Sequence, residues 1–267
     1  MKRVLSGSVL LVLTLLGVIY ATPVCYLVAI GIIGTACLYE YFGLTRAMGI
    51  RVQPWFGYFA FWILLVDFHY RSFPIAALLS AVLLILFLSA LWRYRQPVQD
   101  RAFALMAEIL GILYFVLFLY PAIPLRYDYG YEAGMHWTLL LLIVICTGDT
   151  AALVFGKTIG KTPFAPILSP KKTYEGAIGG LFSGIVAAIA AQQFLFRDLP
   201  FGHVVAVSIL IGIFGQLGDL AESMLKRAAN IKDSSHLIPG HGGALDRVDS
   251  LLFAIPVLYI YLSLLYS

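Results

Sequence analysis

Residues 73–92 read FPIAALLSAVLLILFLSALW, a stretch without a single charged side chain. An α-helix needs roughly 20 apolar residues to cross the about 30 Å of hydrocarbon in a bilayer. The rest of the chain has the same character, because 61% of its 267 residues are hydrophobic, 12% are charged and the mean hydropathy is +0.91. A soluble domain of this length could not cover so much apolar surface. The sequence therefore predicts an all-α fold, a polytopic membrane helix bundle.

Apolar runs separated by polar residues or by Pro and Gly give about nine candidate transmembrane helices. They lie near residues 5–21, 24–43, 55–70, 73–92, 102–121, 136–155, 175–195, 202–222 and 249–266. The third run is short and carries Asp67 and His69 toward its end, so a re-entrant segment is the alternative there. The first run could be a cleaved signal peptide, but residues 19–21 form a poor cleavage site, which favours a retained helix.

The distribution of positive charge predicts the orientation of this bundle. With nine spans and a cytoplasmic N-terminus, fifteen of the Lys and Arg residues fall inside and only Arg71, Arg126 and Arg197 fall outside. Lys and Arg concentrate in cytoplasmic loops, so we expect a cytoplasmic N-terminus and an external C-terminus. We divide the chain into N-terminal scaffold helices, 1–135, and a catalytic domain, 136–267, with cytoplasmic loops at 156–174 and 223–248.

An acidic residue inside a predicted span is informative, because a carboxylate there costs about 2.5–3.5 kcal/mol or more unless it faces a cavity or a partner. Asp149, Asp219 and Glu222 are three such residues. Each aspartate follows a glycine toward the cytoplasmic end of its helix, so both would lie at similar depth. Helix-end carboxylates that reach the headgroup zone are the alternative interpretation. Glu222 could also simply pair with Lys226, four residues on.

Asp219 has polar neighbours at helical spacing. Gln216, Ser223, Lys226 and Arg227 lie three, four, seven and eight residues from it, on one helix face. The glycine-rich turn at 239–243, which includes His241, Gly242 and Gly243, precedes Asp246, Arg247 and Asp249 at the start of the last helix. Bare backbone can approach a polyphosphate closely, and carboxylates can hold a hard cation. The alternative is that these acids only stabilise a helix N-terminus.

The other long loop contributes the sequence SPKKT at 169–173. Thr173 is a natural N-cap for the next helix, which has Glu175 in its first turn. Lys171 and Lys172 thus stand directly ahead of free backbone N–H groups, an arrangement that attracts phosphate. Alternatively, both lysines only follow the positive-inside rule.

Together these residues predict a helix bundle whose cytoplasmic mouth holds several carboxylates and cations. Such a site suits Mg²⁺-assisted phosphoryl or nucleotidyl transfer to a lipid. An ion- or proton-coupled transporter that uses the intramembrane aspartates is the alternative, but transporter folds usually show paired repeats with broken helices, and none is evident in the sequence.

The chemistry-bearing stretch also resembles the signature of the phosphatidate cytidylyltransferase family, the CDP-diacylglycerol synthases. The matching positions are Ser223, Leu225, Lys226, Arg227, Lys232, Asp233, Ser235, Ile238, Pro239, His241, Gly242, Gly243, Asp246, Arg247 and Asp249. Residues 169–176 and 148–150 resemble two upstream motifs of the same family, and Glu40 with Tyr41 is similar to an acidic-aromatic pair in its early helices. Ala244 and residues 151–152 depart from the usual pattern without removing a charge.

The resemblance implies a reaction of CTP with phosphatidic acid that gives CDP-diacylglycerol and pyrophosphate. It further implies Mg²⁺, a second, monovalent cation such as K⁺, a homodimer in the lipid bilayer, and no nucleic acid partner. The expected location is the bacterial cytoplasmic (inner) membrane, with the active site facing the cytoplasm.

We assign hypothetical roles on this basis. Asp219 and Asp246 would bind Mg²⁺, with Asp249 and Asp149 as supporting carboxylates. Four cations would hold the triphosphate and the lipid phosphate: Lys226, Arg227, Lys232 and Arg247. Lys171 and Lys172 would neutralise one of these phosphates, and His241 would donate a hydrogen bond or shape its loop. Ser223, Gly242 and Gly243 complete the expected substrate-binding set.

Overall fold

The computed structural model describes residues 2–195, 199–235, 237 and 242–266, with side chains from Gly7 onward. Almost all of this part of the chain is helical. The helices are α1 (Lys2–Tyr20), α2 (Pro23–Ala47), α3 (Pro54–Tyr70), α4 (Ile75–Trp92), α5 (Val98–Leu119), α6 (Ala122–Tyr127), α7 (Tyr131–Thr158), α8 (Tyr174–Leu195), α9 (Phe201–Ala228) and α10 (Leu245–Leu265). Two short strands, β1 (Pro163–Ala165) and β2 (Ser169–Thr173), lie between α7 and α8.

The prediction of an all-α membrane bundle is confirmed. Every predicted apolar run overlaps a helix, and seven helical stretches in the described chain are long and apolar enough to cross a membrane. These are Pro23–Ala47, Ile75–Trp92, Val98–Tyr127, Tyr131–Thr158, Tyr174–Leu195, Phe201–Ala228 and Leu245–Leu265. Helix α3 has only 17 residues, and the part of α1 whose side chains are described, Gly7–Tyr20, is shorter than a full span. Nine crossings and the sides of the two termini therefore stay predictions.

The chain forms two units. The first unit comprises Met1–Thr14, Ala21–Ile123 and Leu225–Arg247. Its core is apolar and aromatic, with Phe42, Phe61 and Phe115 fully buried on α2, α3 and α5. A buried ion pair joins α4 to α5, where Arg93 Nη2 lies 2.8 Å from Glu108 Oε2. Such a pair contributes only when both members are present, because either charge alone would be costly in this core.

The second unit comprises Leu15–Tyr20, Pro124–Met224 and Val248–Ser267. Helices α7 and α8 approach closely because glycines face the contact, as is common between membrane helices. A Cβ on Gly180 would lie 2.7 Å from the Gly148 carbonyl oxygen. Arg126 is fully buried and donates to the carbonyl oxygens of Val18 and Tyr131. The end of α1 is thereby built into this unit. The predicted domain boundary at residue 135 stays a prediction.

Both long loops after residue 136 differ from the expectation. Residues 163–173 form an antiparallel hairpin with Pro163 opposite Thr173 and Ala165 opposite Ser169. Helix α9 continues to Ala228, so the connection to α10 begins later than residue 223. Asn230 adopts a left-handed conformation (φ 56°) just beyond α9, which is a common way to end a helix. Ser223, Lys226 and Arg227 are consequently held on a rigid helix.

Candidate functional site

Three carboxylates of the second unit converge. Asp219, Glu222 and Asp249 each present an oxygen, and these atoms all lie within 4.8 Å of one another. We call these residues the three-acid group. Asp219 and Glu222 lie one turn apart on α9, and Asp249 lies near the start of α10. Gly218 permits the approach of α10, since a Cβ there would collide with the carbonyl oxygen of Asp249.

A lysine from the hairpin reaches this group. Lys172 Nζ lies 2.6 Å from Asp219 Oδ2, and the two side chains are 27% and 34% exposed. Ser223 Oγ lies 3.5 Å from the other carboxylate oxygen of Asp219. The structure thus brings together Lys172, Ser223, Asp219 and Asp249 of the predicted set, and it adds Glu222.

The hairpin is tied to the first turn of α8. The backbone N–H of Gly176 donates to Thr173 Oγ1 at 3.2 Å, which confirms Thr173 as the N-cap. The Glu175 carboxylate turns back and accepts from the backbone N–H groups of Lys161 and Thr162 and from Thr162 Oγ1, at 3.0–3.2 Å. Lys172 therefore projects from a strand whose end is fixed by the next helix.

Asp149 lies beside this arrangement, on α7. It is within electrostatic range of Asp219 and Lys172, and Ser250 lies near its carboxylate. A small cleft opens next to Asp149, and four glycines make up half of its lining. The cleft residues are Val144, Ile145, Gly148, Asp149, Gly180, Gly184, Gly212 and Gln216. Asp149 thus belongs to the same unit as the three-acid group, outside that group itself.

A second cluster of predicted residues lies in the first unit. Asp246 Oδ1 accepts from Lys226 Nζ at 2.7 Å. Asp246 Oδ2 accepts from the backbone N–H of Gly243 at 2.8 Å and from the hydroxyl and backbone N–H of Ser234 at 2.9 and 3.2 Å. Gly242, with φ +80°, makes the turn that allows this wrapping. Both oxygens of Asp246 are therefore held by fixed protein donors.

The remaining predicted cations point outward or serve the backbone. Arg227 Nη1 donates to the Ile231 carbonyl oxygen at 3.4 Å, at the end of α9. Lys171, Lys232 and Arg247 are exposed. His241 lies outside the described residues, so its predicted role stays a prediction, as do the roles of the other site residues.

Two participants were not among the predicted site residues. Glu222 is 1% exposed, and its position one turn from Asp219 inside an apolar helix was the available signal. Ser234 gave no comparable signal, because a serine in a connecting segment is ordinary in any sequence. Only the folded chain shows that its hydroxyl reaches Asp246.

The close spacing of the carboxylates in the three-acid group favours a cation nearby. Carboxylates this close repel one another unless protonation or a positive charge compensates them. Oxygen ligands at this spacing fit Mg²⁺, which is commonly held by one or two carboxylates together with water and substrate phosphates. The fold and these clusters define a polytopic membrane protein with candidate groups for binding a hard cation and phosphates.

Comparison with known proteins narrows this class. Residues 1–265 match the model of the cytidylyltransferase family. A phosphatidate cytidylyltransferase of Bacillus subtilis (strain 168) is 31% identical over 98% of this chain and 97% of its own length. Those of Staphylococcus haemolyticus (strain JCSC1435) and Staphylococcus aureus (strain COL) are 36% and 37% identical, over 72% and 70% of this chain and 70% and 68% of their own lengths. The chain belongs to the cytidylyltransferase family.

Proposed function

We propose that this protein is a phosphatidate cytidylyltransferase, which transfers the cytidylyl group of CTP to phosphatidic acid in phospholipid biosynthesis. A phosphate oxygen of phosphatidate attacks the α-phosphorus of CTP and forms a new P–O–P linkage. The bond between the α-phosphorus and its bridging oxygen breaks, and pyrophosphate leaves with that electron pair. The products are CDP-diacylglycerol and pyrophosphate. The relatives' activity and the matched family model support this reaction.

The observation that carries the proposal is the three-acid group with Lys172 beside it. Transfer between two polyanions requires charge compensation more than covalent chemistry. The group supplies carboxylates that attract a metal, and Lys172 supplies a cation that can meet a phosphate. Phosphatidate brings its own ionised nucleophile, so no side chain has to act as a general base.

Mg²⁺ is the metal that we propose for this group. Asp219, Glu222 and Asp249 would hold it through carboxylate oxygens. When bound there, it would neutralise charge that develops on the leaving pyrophosphate. The assignments made from the sequence, of Asp246 as a Mg²⁺ ligand and of Asp149 as a supporting carboxylate, stay predictions, and K⁺ remains our expectation for a monovalent site.

In this proposal, several Lys and Arg residues bind the phosphates of the substrates. Lys172, released from Asp219, would contact one phosphate group, with exposed Lys171 beside it. Lys226 is oriented by its ion pair with Asp246, so its ammonium group is already placed on the face of α9. Arg227, Lys232 and Arg247 complete the set that neutralises the triphosphate and the lipid phosphate.

We also propose the setting of the reaction. The chain is an integral membrane protein with bacterial relatives, and the positive-inside distribution supports the cytoplasmic (inner) membrane with the site facing the cytoplasm. CTP is a cytoplasmic substrate and phosphatidate a membrane one, which suits that orientation. A homodimer remains part of the proposal. Neither the fold nor the relatives favour the transporter alternative.

The direct experiment uses purified protein in detergent micelles that contain phosphatidate. Labelled CTP and Mg²⁺ are added, and the lipid phase is extracted and counted. We expect label in CDP-diacylglycerol and an equal amount of pyrophosphate released. Absence of labelled lipid from the wild-type protein, with phosphatidate and Mg²⁺ both present, would overturn the proposal.

A further inference from the structure

A carboxylate of the N-terminal half is buried in the first unit and contacts the signature stretch almost two hundred residues later. Glu40 lies on α2, about two turns before that helix ends, and is 1% exposed. A buried carboxylate is costly unless it is hydrogen-bonded or paired. The hydrogen-bond partners of Glu40 therefore indicate its role.

All four hydrogen bonds that Glu40 accepts come from residues 234–245. Oε1 accepts from Ser235 Oγ at 2.6 Å and from the Ala244 N–H at 2.8 Å. Oε2 accepts from Ser234 Oγ at 2.9 Å and from the Leu245 N–H at 2.8 Å. One side chain thus contacts both the middle of the connection between α9 and α10 and the start of α10.

The two backbone donors lie at the start of α10. The first N–H groups of a helix have no partner within the helix, and a negative charge there is favoured by the helix dipole. Glu40 satisfies these requirements at Ala244 and Leu245 from a different helix. It therefore sets where α10 begins, directly before Asp246.

Glu40 is also linked to Asp246 through the hydroxyl group of Ser234. The Ser234 hydroxyl lies 2.9 Å from Glu40 Oε2 and 2.9 Å from Asp246 Oδ2, so its single proton is shared between the two carboxylates. A Cβ on Gly243 would collide with the Ser234 hydroxyl and the Glu40 carboxylate, so glycine is required at that position. Asp246 in turn orients Lys226.

We propose that Glu40 is a positioning residue for the transfer reaction: it holds the two serines 234–235 and the start of α10, and thereby the Asp246–Lys226 pair. This inference rests on the proposed function for its effect on rate. The contact itself does not depend on that function. It also gives a function to one helix in the half of the chain that was predicted to be scaffold.

The informative variant is Glu40→Gln. A carboxamide keeps the shape of the side chain, but its NH₂ group faces one pair of donors, so about half of the hydrogen bonds are lost. Removal of a residue that orients a functional side chain through a hydrogen bond lowers activity by about 10- to 100-fold. We expect kcat per folded molecule to fall by that factor.

Glu108→Gln is the matched control. Glu108 is also a fully buried carboxylate of the first unit, and its partners are Arg93 and the Gln53 N–H. We expect this variant to lower stability while kcat per folded molecule stays near the wild-type value. Equal losses of kcat in the two variants would mean that Glu40 acts only through general stability, and would overturn the proposal.

Hydrogen exchange at the amides of Ala244 and Leu245 gives a readout that needs no substrate. Glu40→Gln should accelerate exchange there, and Glu108→Gln should not. If the wild-type protein made no CDP-lipid, the proposed function would fail while this exchange result still decided the contact. Wild-type exchange together with wild-type kcat in Glu40→Gln would overturn the inference.

A milder variant covers the case in which Glu40→Gln does not fold. Ser235→Ala removes one of the four donors to Glu40. A single lost hydrogen bond corresponds to about a fivefold change, so we expect kcat to fall by about that factor, with faster exchange at Ala244. An unchanged kcat and unchanged exchange in Ser235→Ala would contradict the proposal.

Discussion

The carboxylates of the two units have different surroundings. In the first unit, Glu40 and Asp246 are surrounded by hydroxyl and backbone N–H donors and by the Lys226 ammonium group. In the second unit, oxygen atoms of Asp219, Glu222 and Asp249 lie within 4.8 Å of one another, and Lys172 forms an ion pair with Asp219 at 2.6 Å.

This difference separates positioning from binding. Fixed donors hold a carboxylate in one place and leave little capacity for another ligand. Mutually repelling carboxylates gain most when a divalent cation enters between them. The first arrangement therefore suits a rigid support, and the second suits exchange between a lysine and a metal. Substitutions in each unit should accordingly affect different measurements.

The largest effect is expected from Asp219→Asn. Loss of a metal ligand removes several kcal/mol of transition-state stabilisation, which corresponds to about a thousandfold in kcat. The transfer assay with labelled CTP measures this directly. Asp128→Asn, at an exposed position, is the control and should behave like the wild type. A kcat for Asp219→Asn close to that of the control would show that this carboxylate of the second unit takes no part in the reaction.

Gly243→Ala tests the crowded support of the first unit. The added methyl group must displace Ser234 or Glu40, and overpacking of this kind costs about 1–3 kcal/mol. We expect a lower free energy of unfolding in a detergent denaturation titration. Gly43→Ala, on α2 with no atom within 4 Å of the new Cβ, should instead gain up to about 1 kcal/mol. Equal stability of the two variants would contradict the packing described for Gly243.

The smallest effect is expected from Lys172→Met. At the proposed metal site its ammonium group would compete with Mg²⁺ for Asp219, and a partly exposed ion pair contributes about 0.2–1 kcal/mol. The Mg²⁺ concentration for half-maximal activity should therefore fall, by at most about fivefold, although kcat also falls. Lys171→Met should shift this concentration less, because Lys171 is the exposed neighbour. A higher Mg²⁺ requirement in Lys172→Met would show that Lys172 helps to retain the metal.

Much of the fold was predictable because the hydrophobic signal is strong. A membrane helix is specified by a run such as 73–92 without reference to the rest of the chain. The Thr173 cap was also predictable, since capping depends on residues three apart. The hairpin at 163–173 was not, because Glu175 stabilises it through contacts that hydropathy does not report.

The site was predictable in part for a similar reason. Asp219, Asp246 and Asp249 stood out as acids at helix ends in an apolar chain. The sequence did not show that Asp246 lies in the first unit and that Asp219 and Asp249 lie in the second. That division depends on which unit each helix end joins. Glu40 shows the same limit. In the sequence it was notable only for its similarity, with Tyr41, to an acidic-aromatic pair of the family, and only the fold shows that its partner is the start of α10.

We propose that Asp219, Glu222 and Asp249 form the divalent cation site of this protein. Equilibrium binding of Mn²⁺ to the purified protein, followed by electron paramagnetic resonance without nucleotide or lipid, tests it most directly. We predict that Glu222→Gln weakens Mn²⁺ binding by at least about tenfold, as expected when a metal site loses a partner. Wild-type affinity in Glu222→Gln, together with loss of binding in Asp246→Asn, would contradict the account.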